Sequence, residues 1–111
     1  MRGPLRGPGR LLPALAAALL AGGAAAQDLA AGRAKAQACA VCHGALGVSV
    51  APDAPNLAGQ PAIYVAAQLR AYRSGRRAHE VMAVMAKGLS DDDIANLAAW
   101  YAAIKVEVTA P

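Results

Sequence analysis

Cys39-Ala40-Val41-Cys42-His43 constrains this chain more than any other stretch of it. Two thiols one tight turn apart with an imidazole directly after them make C-x-x-C-H, the spacing of covalent haem attachment. The spacing has a chemical reason. Thiols at that separation reach the vinyl groups on neighbouring edges of a porphyrin, and the adjacent histidine then points at the iron. Three other uses of the same residues compete. A thioredoxin-like redox pair wants a strand before the motif, whereas an Ala-rich helical segment precedes it here. A zinc site wants four ligands, and adjacent Cys42 and His43 chelate one ion poorly together. A plain disulfide would close a very small loop and contribute little.

The segment before the motif has the layout of a secretory signal. Arg2, Arg6 and Arg10 make a positive leader, an apolar run covers Leu11 to Ala21, and Ala24-Ala25-Ala26 offers a cleavage site before Gln27. The competing reading is an uncleaved anchor, but the run falls short of the roughly 20 residues needed to span a bilayer. The expected organisation is therefore a signal peptide over 1–26 and one domain over 27–111, exported to the periplasm and not inserted in the membrane after cleavage. The whole chain carries 11 Lys and Arg against 7 Asp and Glu. Removing the three leader arginines and no acids leaves a net charge of +1, so a nucleic-acid reading based on basicity loses its premise. An 85-residue domain sits near the size at which a staple is needed. Cys39 and Cys42 lie too close together to tie distant parts of the fold.

Helical patterns dominate the mature region. Asp28 is placed to cap a helix from about Leu29 to Cys39, in which Gly32 invites the close crossing of another helix. Gly44 to Gln60 reads as a loop broken by Gly44, Gly47, Pro52, Pro55 and Gly59. A second helix starts with Pro61 as its first residue, runs to about Arg73 and ends at Ser74-Gly75. A second loop is expected from Arg76 to Leu89, holding Met82 and Met85. Ser90 caps the last helix. Asp91, Asp92 and Asp93 complement its dipole, and Ile94, Leu97, Ala98, Tyr101 and Ile104 recur at helical spacing with Trp100 beside them. The fold class is all-α.

With these residues in view, the chain resembles the class I c-type cytochromes, in particular the short bacterial single-haem forms and the halves of two-haem cytochromes c. The likeness covers nearly all of residues 28–105. It rests on Cys-Ala-Val-Cys-His-Gly, Pro55-Asn56-Leu57-Ala58-Gly59-Gln60, Tyr64 with Gln68-Leu69, and Leu89-Ser90-Asp91-Asp92-Asp93-Ile94 with Leu97-Ala98-Ala99-Trp100-Tyr101. The resemblance implies a small cytochrome c-like domain of three or more helices around one haem c, bound through Cys39 and Cys42. It implies His43 as the proximal iron ligand and a Pro55 carbonyl that accepts a hydrogen bond from the other ring nitrogen. It also places Gly32 under Leu97 and the Trp100/Tyr101 pair where the first and last helices cross. One departure is visible: many relatives carry a bulky side chain on the first helix near this crossing, where Ala36 is small.

For the sixth iron position the resemblance implies Met82, seven residues before Leu89. Met85 is the competitor, and His79 a third option that reads more simply as a surface histidine. Arg70, Arg73, Arg76 and Arg77 form the one basic cluster. A solvated helix end, contact with haem propionates and a docking patch for an acidic partner all fit it. Iron held from both sides has no open position for substrate, so the implied function is a single-electron carrier, not an enzyme. Its partners would be redox proteins met as a monomer or in weak complexes. The alternatives are a cytochrome subunit of a larger respiratory or dehydrogenase complex, and a haem enzyme or gas sensor with a labile sixth ligand.

Overall fold

The structure, a computed structural model, describes residues 27–111 and a few isolated positions before them (1, 3–4, 7–9 and 12). The signal-peptide reading of 1–26 and its cleavage point fall outside the described residues but for those positions. Five helices and one 3₁₀ turn make up the domain, with no strand among the described residues. None of these helices is long and apolar enough to cross a membrane.

Helix α1 (Leu29–Lys35) starts as the sequence implies, with the Asp28 carboxylate accepting the Ala31 N–H at 3.0 Å. It does not continue evenly to Cys39. The chain tightens into a 3₁₀ turn over Ala36–Ala38 and restarts as α2 (Ala40–His43). A 3₁₀ turn is the usual way a helix end changes direction while keeping its amides bonded, here Cys39 N–H to the Ala36 carbonyl at 2.9 Å. Cys39, Cys42 and His43, which follow the break, all line one cavity.

Helix α3 (Ala62–Ser74) comes after the long loop. Pro61 stands just outside it as the capping residue, because its ψ of 132° is extended rather than helical. The stretch from Arg76 to Leu89 is the larger correction: it is not a loop but contains helix α4 (Glu80–Lys87). Glu80, Met82, Ala83, Met85, Ala86 and Lys87 are good helix formers. The helix is started by His79, whose Nδ1 accepts the N–H groups of Val81 and Met82 at 3.2 Å each. Helix α5 (Asp91–Ala103) carries a complete capping box, Ser90 Oγ accepting from Asp93 N–H and Asp93 accepting from Ser90 N–H, both at 3.0 Å.

Packing centres on α5. Ile94, Leu97, Ala98 and Tyr101 are buried along it, and Ala36, Leu97 and Tyr101 form the core cluster, joined by Leu57, Leu69 and Leu89. The α1–α5 crossing falls at Gly32. A Cβ there would collide with the Asn96 carbonyl and come within 2.9 Å of Trp100 Cβ. The glycine therefore lies over Asn96 and Trp100, one residue from the expected Leu97, which packs against Ala36 instead. Asn96 Oδ1 also accepts the Asp28 N–H at 2.9 Å, and Lys35 reaches Asp93 at 3.3 Å. The small Ala36 is itself buried in this cluster, packed with Leu97 and Tyr101 of the opposite helix.

Candidate haem site

Beneath α2, α3 and α4 lies a cavity of about 470 Å³. It gathers Cys39, Cys42 and His43 from the motif, Pro55 and Leu57 from the long loop, and Met82 and Met85 from α4. Tyr64, Val65, Gln68, Leu69 and Tyr72 face it from α3, and Leu97 and Tyr101 from α5. The lining is overwhelmingly apolar. Every residue placed at the site from sequence reaches this one space.

His43 is held with more than packing. It is 7 % exposed, and its Nδ1 donates to the Pro55 carbonyl at 2.8 Å, which leaves Nε2 as the free ring nitrogen. The loop that returns Pro55 to this point is pinned on both sides. Ser49 N–H donates to Asn56 Oδ1 at 2.7 Å, Val50 N–H to the Cys42 carbonyl at 3.1 Å, and Leu57 N–H to the Gly47 carbonyl at 2.7 Å. Gly44, with φ of +82°, turns the chain out of α2 into this loop, and a Cβ there would collide with the Val48 carbonyl. A histidine fixed through one nitrogen presents the other as a strong, oriented ligand.

The cysteines are free thiols, half buried. Burial pushes the Cys39 thiol up, an effect only partly offset by the neighbouring Tyr101 hydroxyl. Tyr101 is itself pushed up, by burial first and then by Cys39, so it stays a neutral phenol. Its hydroxyl and Trp100 Nε1 are buried without a hydrogen-bond partner. Among the described residues no three His, Cys, Asp or Glu gather as a metal set, so the zinc alternative lacks its ligands. What converges instead is one imidazole, two thioethers and two thiols on an apolar chamber. That donor set fits a haem: soft sulfur and imidazole for the iron, thiols for the ring edge, and apolar walls for its faces.

The structure separates the two methionines by degree rather than by place. Both line the cavity one helical turn apart, with Met82 half buried and Met85 40 % exposed. His79 is not among the lining residues and is engaged as the α4 cap. The arginine cluster is divided. Arg73 is bound to Asp91 at 2.6 Å and to the Leu89 carbonyl at 3.0 Å, whereas Arg77 enters the cavity wall. From sequence, Arg77 was one of four clustered arginines with three open readings, and Tyr64, Gln68 and Tyr72 had no assigned place in the cavity wall, where the structure puts all four. The spacing of four between Tyr64, Gln68 and Tyr72 along α3 was the available signal.

This chamber and motif define a c-type cytochrome, and the chain belongs to the cytochrome c family, whose model matches residues 29–104. It is similar to cytochrome c-554(548) of Halomonas halodenitrificans, 48 % identical over 79 residues that cover 68 % of this chain and 95 % of that protein. It is also 45 % identical over 84 residues to cytochrome c4 of Pseudomonas aeruginosa, covering 76 % of this chain but 42 % of that one. The crystal structure of reduced recombinant cytochrome c4 from Pseudomonas stutzeri superposes with a TM-score of 0.69 at 36 % identity, over 75 % of this chain and 48 % of that one. The chain thus spans under half the length of the cytochromes c4 it matches. Family membership brings a covalently bound haem c, and Cys39 and Cys42 stand at the spacing for it.

Proposed function

We propose that the mature protein is a periplasmic one-electron carrier whose single haem is held by Cys39 and Cys42, with iron ligated by His43 and Met82. Electron transfer itself follows from the family. The observation that carries the finer reading is that the His43–Pro55 pair and the α4 methionines line one apolar cavity. When bound there, haem supplies an iron that changes oxidation state. The chain's own residues do the rest. Pro55 fixes the His43 ring through a hydrogen bond, and Val65, Leu69 and Leu97 exclude water from the ring faces. Met82 offers a soft thioether that favours the reduced metal and raises its potential.

The paired variants Met82→Ala and Met85→Ala test the ligand assignment. The absorption band of methionine–iron bonding should vanish, and carbon monoxide should bind the reduced protein, only in the Met82 variant. Loss of the band in the Met85 variant alone would move the role to Met85. Removal of residues 1–26 is part of the same reading. Mass spectrometry of periplasmic protein should show a chain beginning at Gln27 plus one haem, and retention of Arg2 to Arg10 would refute the export step.

The length comparison favours one second reading, a domain that works as half of a two-haem protein or as a subunit of a larger complex, since relatives of twice its length align over one half. The 95 % coverage of cytochrome c-554(548) favours the free-standing carrier. Co-purification with an equimolar protein partner would decide for the complex.

A further inference from the structure

Among the described residues, Arg77 is the one lysine or arginine that lines the cavity. It is not there by accident of a long side chain. Its backbone N–H donates to the Ala71 carbonyl at 3.1 Å, which folds the end of α3 back on itself. Its Nη1 donates to Gln68 Oε1 at 2.6 Å, and its guanidinium lies 4.7 Å from the centre of the Tyr72 ring. Gln68 and Tyr72 are themselves wall residues, one turn apart on α3. A guanidinium offers five N–H donors in a planar fork matched to a carboxylate. One donor is spent on Gln68, and the hydrogen-bond set of Arg77 includes no acid. Arg73, by contrast, is spent on Asp91 and Leu89.

We propose that Arg77 is the anion-binding residue of the haem cavity, held by Gln68 and Tyr72 so that its free N–H donors take a carboxylate of the haem itself, a propionate. The inference rests on the haem assignment above. An acidic side chain of a redox partner offers the same chemistry, and the two sources predict different behaviour. A propionate is present in the isolated protein, so its pairing with Arg77 acts on the iron at all times. A fixed cation beside the haem disfavours the ferric charge and holds the propionate ionised over a wide pH range.

The test compares holoprotein carrying Arg77→Gln and Arg77→Lys with the parent, first confirming the parent absorption spectrum and one haem per chain. A variant without haem would indict the cavity assignment instead of this inference. With haem present, the midpoint potential of Arg77→Gln should fall. It should also become pH-dependent in mildly acidic solution, where the unpaired propionate now takes up a proton. Arg77→Lys keeps the charge and should recover most of the potential. Gln68→Leu, which releases the guanidinium without removing it, should give a smaller shift of the same sign. An unchanged potential with a weaker salt dependence of electron transfer to an acidic partner would assign Arg77 to docking and overturn the proposal. So would an unchanged potential and an unchanged partner reaction.

Discussion

Replacing both Cys39 and Cys42 with Ala should leave a chain that does not fold once it is free of haem. The magnitude follows from the cavity. At roughly 24 cal/mol per Å³, an emptied apolar space of about 470 Å³ costs up to about 11 kcal/mol. That is an upper bound, because the space opens to solvent and the helices can close on it. Even half of it, about 5.5 kcal/mol, reaches the lower end of the stability of a small domain, about 5–15 kcal/mol. Little else is available to offset the loss. The buried apolar residues among those described are Ala36, Val65, Ala86, Ile94, Leu97, Ala98 and Tyr101, three of them alanines. The assay is far-ultraviolet circular dichroism with urea titration on the double variant, after absorption and mass confirm that no haem is retained through His43. A low helical signal without a cooperative transition is expected. A haem-free variant that unfolds cooperatively from a helical state would refute the reasoning.

Two further outcomes concern the scaffold. Gly32→Ala should destabilise the holoprotein by about 2 kcal/mol, an overpacking cost of about 3 less about 1 gained in helix propensity, since the Asn96 backbone cannot give way; thermal unfolding should shift down by about 10 °C, and an unchanged midpoint would contradict the crossing. The acid limb of stability should depend on Asp93 and Asp91. The Ser90 backbone N–H, and then Lys35, hold the Asp93 carboxyl below its ordinary range, and the Arg73 hydrogen bond does the same for Asp91. A lowered folded-state value stabilises above the unfolded carboxylate pKa of about 3.9 and loses that contribution as pH falls through the folded value. Urea midpoints measured from pH 6 down to about 2 should therefore fall less steeply in the Asp91→Asn/Asp93→Asn variant than in the parent, and identical slopes would contradict the assignment.

The parts of this molecule that were legible in its sequence are those governed by local chemistry. Asp28 and Ser90 cap as their side chains dictate, α5 buries the face its spacing marks, and C-x-x-C-H lies where a haem can reach both thiols. Helix α4 was not legible, because its cap is a histidine, a residue outside the usual capping set, and eight residues hold little periodicity. The 3₁₀ break after Lys35 was hidden because Ala36, Gln37 and Ala38 carry no glycine or proline to mark it. Arg77 was visible only as one of four arginines. Its place in the wall depends on the turn after α3 and on Gln68 and Tyr72, a tertiary fact that composition does not carry.

Redox titration of the purified holoprotein under carbon monoxide and under argon distinguishes a single-haem electron carrier with both iron positions filled by protein from a haem with an open site. One reversible one-electron transition per chain is expected, with the same midpoint potential and the same reduced spectrum in both atmospheres. A reduced protein that binds carbon monoxide, shifting its spectrum and raising its apparent potential, would show an open or labile sixth position and contradict the assignment of a carrier.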